Sequence, residues 1–247
     1  MHNPVFLENP VSGGVIVFIH GFMGSPRQFD KLSQSAHRYG YSAASLLLPG
    51  HGGAVRDFSF GTMKRWQNHV CGEIERLCSL YEHIYLVGHS MGGLLAINAA
   101  IEYPGHVYGM LLIACPFKLR TVSAHSLAVR MRHVFHRKSH PVKAAYLDGC
   151  SIPLRPSLAW CSVKPAAEFR RLMHSTKTSL PNVSVPVTAV YSAADEVVSI
   201  GSLETLRAGL GHAALEEIIL SDSLHAYYPE HERILIENAL LQNARVM

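Results

Sequence analysis

The 247-residue sequence predicts an α/β protein: a mostly parallel sheet of about seven strands flanked by helices, with a helical cap inserted between the fifth and sixth strands. Three observations predict it. Short apolar, β-branched runs alternate with stretches whose apolar residues recur every three or four positions, the pattern of parallel strands joined by crossover helices. A pentapeptide, Gly88-His89-Ser90-Met91-Gly92, joins one such run to the helical stretch that follows. Between residues 117 and 181 the alternation lapses and the charge changes sign: that segment carries +10 and the rest of the chain −6. The division predicts a core over residues 1–116 and 182–247 and a cap over 117–181.

The elements follow in order. A short first strand is expected over 4–8. Residues 15–19, all apolar, suit a strand buried on both faces. After it, Ser25 has the position of a helix N-cap, with Pro26 at the first helical position and Gln28 at capping-box spacing, and the helix is expected to reach Arg38. A strand over 42–48 ends in the loop Pro49-Gly50-His51-Gly52-Gly53. Trp66, Val70, Ile74, Leu77 and Tyr81 predict a helix over 62–81. Strand 83–87, helix 90–103 and strand 108–114 complete the first half. Helices are expected over 126–135 and 166–174 in the cap. Strand 185–191, helix 202–210, strand 215–220 and helix 229–243 close the fold.

Hydrophobic residues make up 48% of the chain and charged residues 16%, the balance of a packed globule. No apolar run approaches the roughly 20 residues of a bilayer span. The first ten residues lack the basic-then-apolar layout of a signal peptide, so a cytoplasmic location is expected. Five cysteines, an odd number with no C-x-x-C pair, favour reduced structural thiols. Neither a cofactor nor a metal is expected. The histidines His133, His136 and His140 fit no zinc spacing, and no cysteine or acid lies near them in sequence.

The chemistry centres on Ser90. A serine at a strand–turn–helix corner is raised at the carboxyl end of the sheet, and glycines two residues before and after it spare the corner a clash. A hydroxyl attacks only when a base takes its proton. Of the 16 histidines, His225 stands directly after the last strand, in a loop that opens on the same edge as Ser90. The base needs an acid to fix its tautomer. Asp195 is the first acid after the strand over 185–191, with Glu196 and Asp222 as rivals. The backbone N–H groups of Phe22 and Met91 are the expected oxyanion donors, and His20 is expected to brace the loop that carries Phe22.

His20-Gly21-Phe22-Met23-Gly24, Pro49-Gly50-His51-Gly52, Gly88-His89-Ser90-Met91-Gly92-Gly93, Asp195 and His225 together resemble the α/β-hydrolase superfamily, in particular its small-cap bacterial carboxylesterases and monoacylglycerol lipases. The resemblance covers nearly the whole chain outside the cap. It implies an α/β-hydrolase fold, a Ser90–His225–Asp195 triad, oxyanion donors at Phe22 and Met91, no metal, and cleavage of carboxylic esters through an acyl-enzyme. Two alternatives stand beside it: a carbon–carbon or amide hydrolase with the same triad, and a hydrolase-like receptor that binds without catalysis. Leu154, Leu158, Trp160 and Met173 are candidate pocket residues in the cap. A small-molecule ester is the expected partner and nucleic acid is not, for the basic segment lacks a nucleic-acid-binding motif. Its charge suits weak contact with an anionic lipid surface.

Overall fold

The computed structural model describes residues 2–120, 141–152 and 160–245. Seven strands form one sheet: β1 (Val5–Leu7), β2 (Gly14–Ile19), β3 (Ser42–Leu46), β4 (His83–His89), β5 (Val107–Ile113), β6 (Val187–Ser192) and β7 (Leu215–Leu220). Their order is β1-β3-β2-β4-β5-β6-β7. Only β1 runs antiparallel, against β3. β2, β3 and β6 are buried at every residue, which explains why they read as unbroken small or apolar runs rather than as alternation.

The described helices are α1 (Asp30–Arg38), α2 (Val55–Phe58), α3 (Met63–Cys78), α4 (Met91–Glu102), α5 (Pro141–Gly149), α6 (Val163–Ser179), α7 (Gly201–Gly209) and α8 (Glu230–Ala244). None of them is long and apolar enough to cross a membrane. On one face of the sheet, Trp66, Val70 and Ile74 of α3 pack with Leu94 and Ile97 of α4 and Leu203 of α7. On the other, Leu32 and Ala36 of α1 meet Ile236 and Leu240 of α8 over Ile16 and Phe18. α4 is apolar all round because α3, α6 and the sheet enclose it.

Two local expectations change. Ser25 makes no side-chain cap, because the first turn is a 3-10 turn (Pro26–Phe29) and Gln28 swings away from it. The Gln28 amide oxygen instead accepts the Gly21 N–H at 3.3 Å and ties the helix start to the loop after β2. The strand expected to reach Leu48 ends at Leu46, since the Leu48 N–H leaves the ladder to bond Nε2 of His20 at 3.1 Å. Cys71 and Cys78 lie at the edge of the buried face of α3, and all five cysteines are free thiols.

α5 and α6 lie in sequence between β5 and β6, within the segment expected as a cap. Phe169 and Leu172 of α6, with Leu180 just beyond it, belong to the same apolar cluster as Trp66 and Leu94. α6 is therefore a layer of the core. Four of the basic residues that set the segment apart, Lys164, Arg170, Arg171 and Lys177, lie on its exposed side. The helix expected over 126–135, the histidines His133, His136 and His140, and the pocket candidates Leu154 and Leu158 lie outside the described residues.

Leu172 is fully buried, so Leu172→Ala is expected to cost about 2–5 kcal/mol in urea or thermal unfolding. A loss below about 1 kcal/mol would mean that α6 rests on the core without belonging to it.

Candidate active site

Ser90 occupies the turn between β4 and α4 with φ 53° and ψ −122°, a left-handed conformation that a non-glycine residue holds only when its surroundings enforce it. The enforcement is close packing. A Cβ at Gly88 would come 2.5 Å from the Gly92 oxygen, and a Cβ at Gly92 would come 1.9 Å from the carbonyl oxygen of Ile19. The corner thus lies against the carboxyl end of β2 at a distance that admits only hydrogen at position 92. Met91 begins α4, so its N–H has no acceptor within the helix. No acidic side chain lies in that first turn to offset the positive end of the helix.

The other expected donor, Phe22, lies on the loop after β2. Its ring stacks on Phe169 of α6 at a centroid distance of 5.4 Å and meets Phe58 edge-on at 5.1 Å, which anchors the loop from two sides. His20 braces the same loop. Its Nε2 accepts the Leu48 N–H, so the ring proton sits on Nδ1 and faces the Gly21 carbonyl at 3.0 Å. Burial, reinforced by the neighbouring His51 ring, holds His20 well below the ordinary histidine range, in keeping with that neutral tautomer.

Ser90, His225 and Asp195 meet although 135 and 30 residues separate them along the chain. The Ser90 Oγ lies 3.1 Å from Nε2 of His225, and the His225 Nδ1 lies 2.9 Å from Oδ2 of Asp195. Asp195 is buried, and its Oδ1 accepts the N–H groups of Val197 (2.7 Å) and Val198 (2.8 Å). Burial alone would raise this carboxyl. The His225 ring and the two N–H groups outweigh burial and hold it below the usual carboxylate value, so it remains an acceptor. Nδ1 of His225 must then carry the ring proton, which leaves the Nε2 lone pair for the serine hydroxyl.

Of the rival acids, Glu196 turns to the main chain of the same residue: its Oε2 accepts the His225 N–H at 3.0 Å. Asp222 is exposed and pairs with His231 at 3.3 Å. Asp222, His231 and Glu232 bring possible ligand atoms within 4.8 Å of one another. The Glu232 oxygens already accept from Ser221, Asp222 and Ser223, and so fix the loop that leads to His225. Trp160 is 67% exposed, and Met173 is half-buried against the core cluster.

Two roles escaped the sequence. His89 donates from Nε2 to the His225 carbonyl at 2.8 Å, and the Tyr228 hydroxyl reaches the same carbonyl at 3.2 Å. Glu196 holds the N–H end of that residue. Both act on backbone atoms, for which a sequence carries no spacing signal.

A model of the alpha/beta hydrolase family matches residues 16–230. The chain belongs to that family. A thermostable monoacylglycerol lipase from Bacillus sp. (strain H-257) is 25% identical over 96% of this α/β hydrolase and 92% of its own length. Among solved structures, one of the metagenome-derived lipolytic enzymes LipS and LipT superposes with a TM-score of 0.78 at 23% identity, covering 98% of this chain and 97% of the other. The monoacylglycerol lipase of Paleococcus ferrophilus gives 0.73 at 17% identity, covering 97% and 96%. These two likenesses speak for the fold.

Buried histidines are expected to make the stability of this hydrolase acid-sensitive. Burial lowers His51 from 6.5 to about 4 in the folded protein. Its contribution is fully present above 6.5 and is lost as the pH falls toward 4, where the unfolded chain binds the proton first, at up to about 1.4 kcal/mol per pH unit. His51→Gln is expected to flatten the loss of thermal stability between pH 6.5 and 4. An unchanged slope would show that His51 does not titrate with unfolding.

Proposed function

We propose that the protein is a serine esterase that cleaves carboxylic esters of the carboxylesterase or monoacylglycerol lipase type through an acyl-enzyme on Ser90. The observation that carries the reading is the unbroken line from the Ser90 Oγ through the His225 ring to Asp195, with a neutral Nε2 facing the hydroxyl. Nε2 takes the serine proton as Oγ attacks the ester carbonyl. The imidazolium that forms is stabilised by the Asp195 carboxylate, which holds the ring in position throughout. The carbonyl oxygen, now negative, is taken up by the N–H groups of Phe22 and Met91 at the positive end of α4. His225 returns the proton to the leaving alcohol. A water then repeats the sequence and releases the acid.

The full-length similarity to a monoacylglycerol lipase supports a lipid-like acyl group. The exposed basic residues of α6 extend the reading to an anionic lipid surface as the place where such a substrate is met.

Ser90→Ala is expected to lower kcat/KM on p-nitrophenyl esters and monoglycerides by about 10⁴-fold and to abolish labelling by a serine-directed phosphonate. Retention of more than about a percent of the activity would remove Ser90 from the nucleophile role. Turnover confined to amides or to carbon–carbon bonds would keep the triad and reject the ester.

A further inference from the structure

α5 touches both sides of the Ser90 site. From within α5 the Tyr146 hydroxyl donates to Oε1 of Glu196, the carboxylate whose other oxygen accepts the His225 N–H. The Ala226 amide also faces the Tyr146 oxygen. Just past the C-terminal end of α5, Cys150 pairs with Gly24 in an isolated antiparallel bridge. The Ser151 N–H bonds the Met23 carbonyl at 2.9 Å, and its hydroxyl bonds the Gly24 carbonyl at 2.7 Å. Only four residues of chain, 147–150, thus lie between the hold of Tyr146 on the histidine loop and the hold of Ser151 on the loop that carries Phe22.

Adjacent acids grip one histidine in two ways. Asp195 takes the ring, and Glu196 takes the main chain. The second grip is charge-assisted, and such bonds run about twice as strong as neutral ones. Burial first, and then the Glu196 carboxylate, push the Tyr146 phenol upward, so it stays a donor. A carboxylate that bonds a tyrosine on α5 cannot move independently of α5.

We propose that Tyr146 is a positioning residue that acts through Glu196 to fix the His225 main chain, so that α5 sets the spacing between the base and the Phe22 loop. The inference rests on the serine-esterase reading above. Tyr146 touches no reacting atom in this scheme. Its effect falls on the chemical step, because misplacing a catalytic group by about 1 Å costs up to about 10²-fold. Substrate binding is left nearly unchanged.

The test uses four variants of the full chain: Tyr146→Phe, Glu196→Ala, Glu196→Gln and the double variant Tyr146→Phe/Glu196→Ala. The readouts are kcat, KM, the second-order rate of phosphonate labelling of Ser90, and Tm. Tyr146→Phe keeps the ring and its packing. It is expected to lower kcat and the labelling rate by about 5- to 10-fold, and Glu196→Ala by about 10- to 100-fold, with KM within about twofold. Glu196→Gln keeps an oxygen for the His225 N–H and is expected to recover kcat to within about threefold of the parent. The double variant is expected to be no slower than Glu196→Ala alone, because both changes break one chain of contacts. Full kcat and labelling rate in Tyr146→Phe, with or without a lower Tm, would overturn the proposal, as would a double loss equal to the product of the single losses. Ser90→Ala is run in parallel. If it is inactive while Tyr146→Phe keeps full activity, only the Tyr146 link fails; if it is active, the serine reading itself fails.

Discussion

The near-contact between Gly92 and the carbonyl of Ile19 governs this molecule. A Cβ at position 92 would lie 1.9 Å from that oxygen. Only at such closeness does the β4–α4 corner turn tightly enough to hold Ser90 at φ 53°. The same closeness sets the first turn of α4 beside the loop after β2, so the Met91 amide and the Phe22 segment share one edge of the sheet with the serine. The central helix α4 is buried over most of its length. Its amphipathicity is lost, and its buried residues are Met, Gly, Leu, Ala and Ile.

What the corner does for Ser90, a set of hydrogen bonds does for His225. Asp195 faces its ring, Glu196 its N–H, and His89 and Tyr228 its carbonyl. Ser192 and Glu232 hold Ser223, two residues upstream. Most of these partners are buried or half-buried, and in such surroundings a paired polar group is worth far more than an exposed one. The loop after β7 has no regular structure of its own. It is held by Ser192 of β6, by Asp195 and Glu196 just beyond that strand, by Glu232 of α8 and by His89 of the Ser90 pentapeptide.

Much of this was legible before any coordinates. The apolar run at 15–19 marked a buried parallel strand because both faces of the sheet are covered. The glycine pattern around Ser90 marked the corner because close approach tolerates few residue types. Asp195 and His225 could be placed because strand ends in a doubly wound sheet open on one edge. Contacts made by side chains on distant backbone atoms could not. Gln28 stood at capping-box spacing and went instead to the Gly21 N–H, and Glu196 was read as a competitor of Asp195 when it serves the same histidine from the other side. The change of charge at 117–181 suggested a separate unit, and α6 within it exposes its basic side and packs the other into the core. Composition reports which face meets water and is silent on which face is buried.

The central claim is that the Ser90 hydroxyl, the His225 ring and two main-chain amides enclose one reacting carbon. A crystal structure of the protein after reaction with an alkyl phosphonate tests it most directly. The account predicts phosphorus bonded to the Ser90 Oγ, with its phosphoryl oxygen about 3 Å from the nitrogens of both Phe22 and Met91. An adduct on another residue, or a phosphoryl oxygen turned away from both amides, would contradict it.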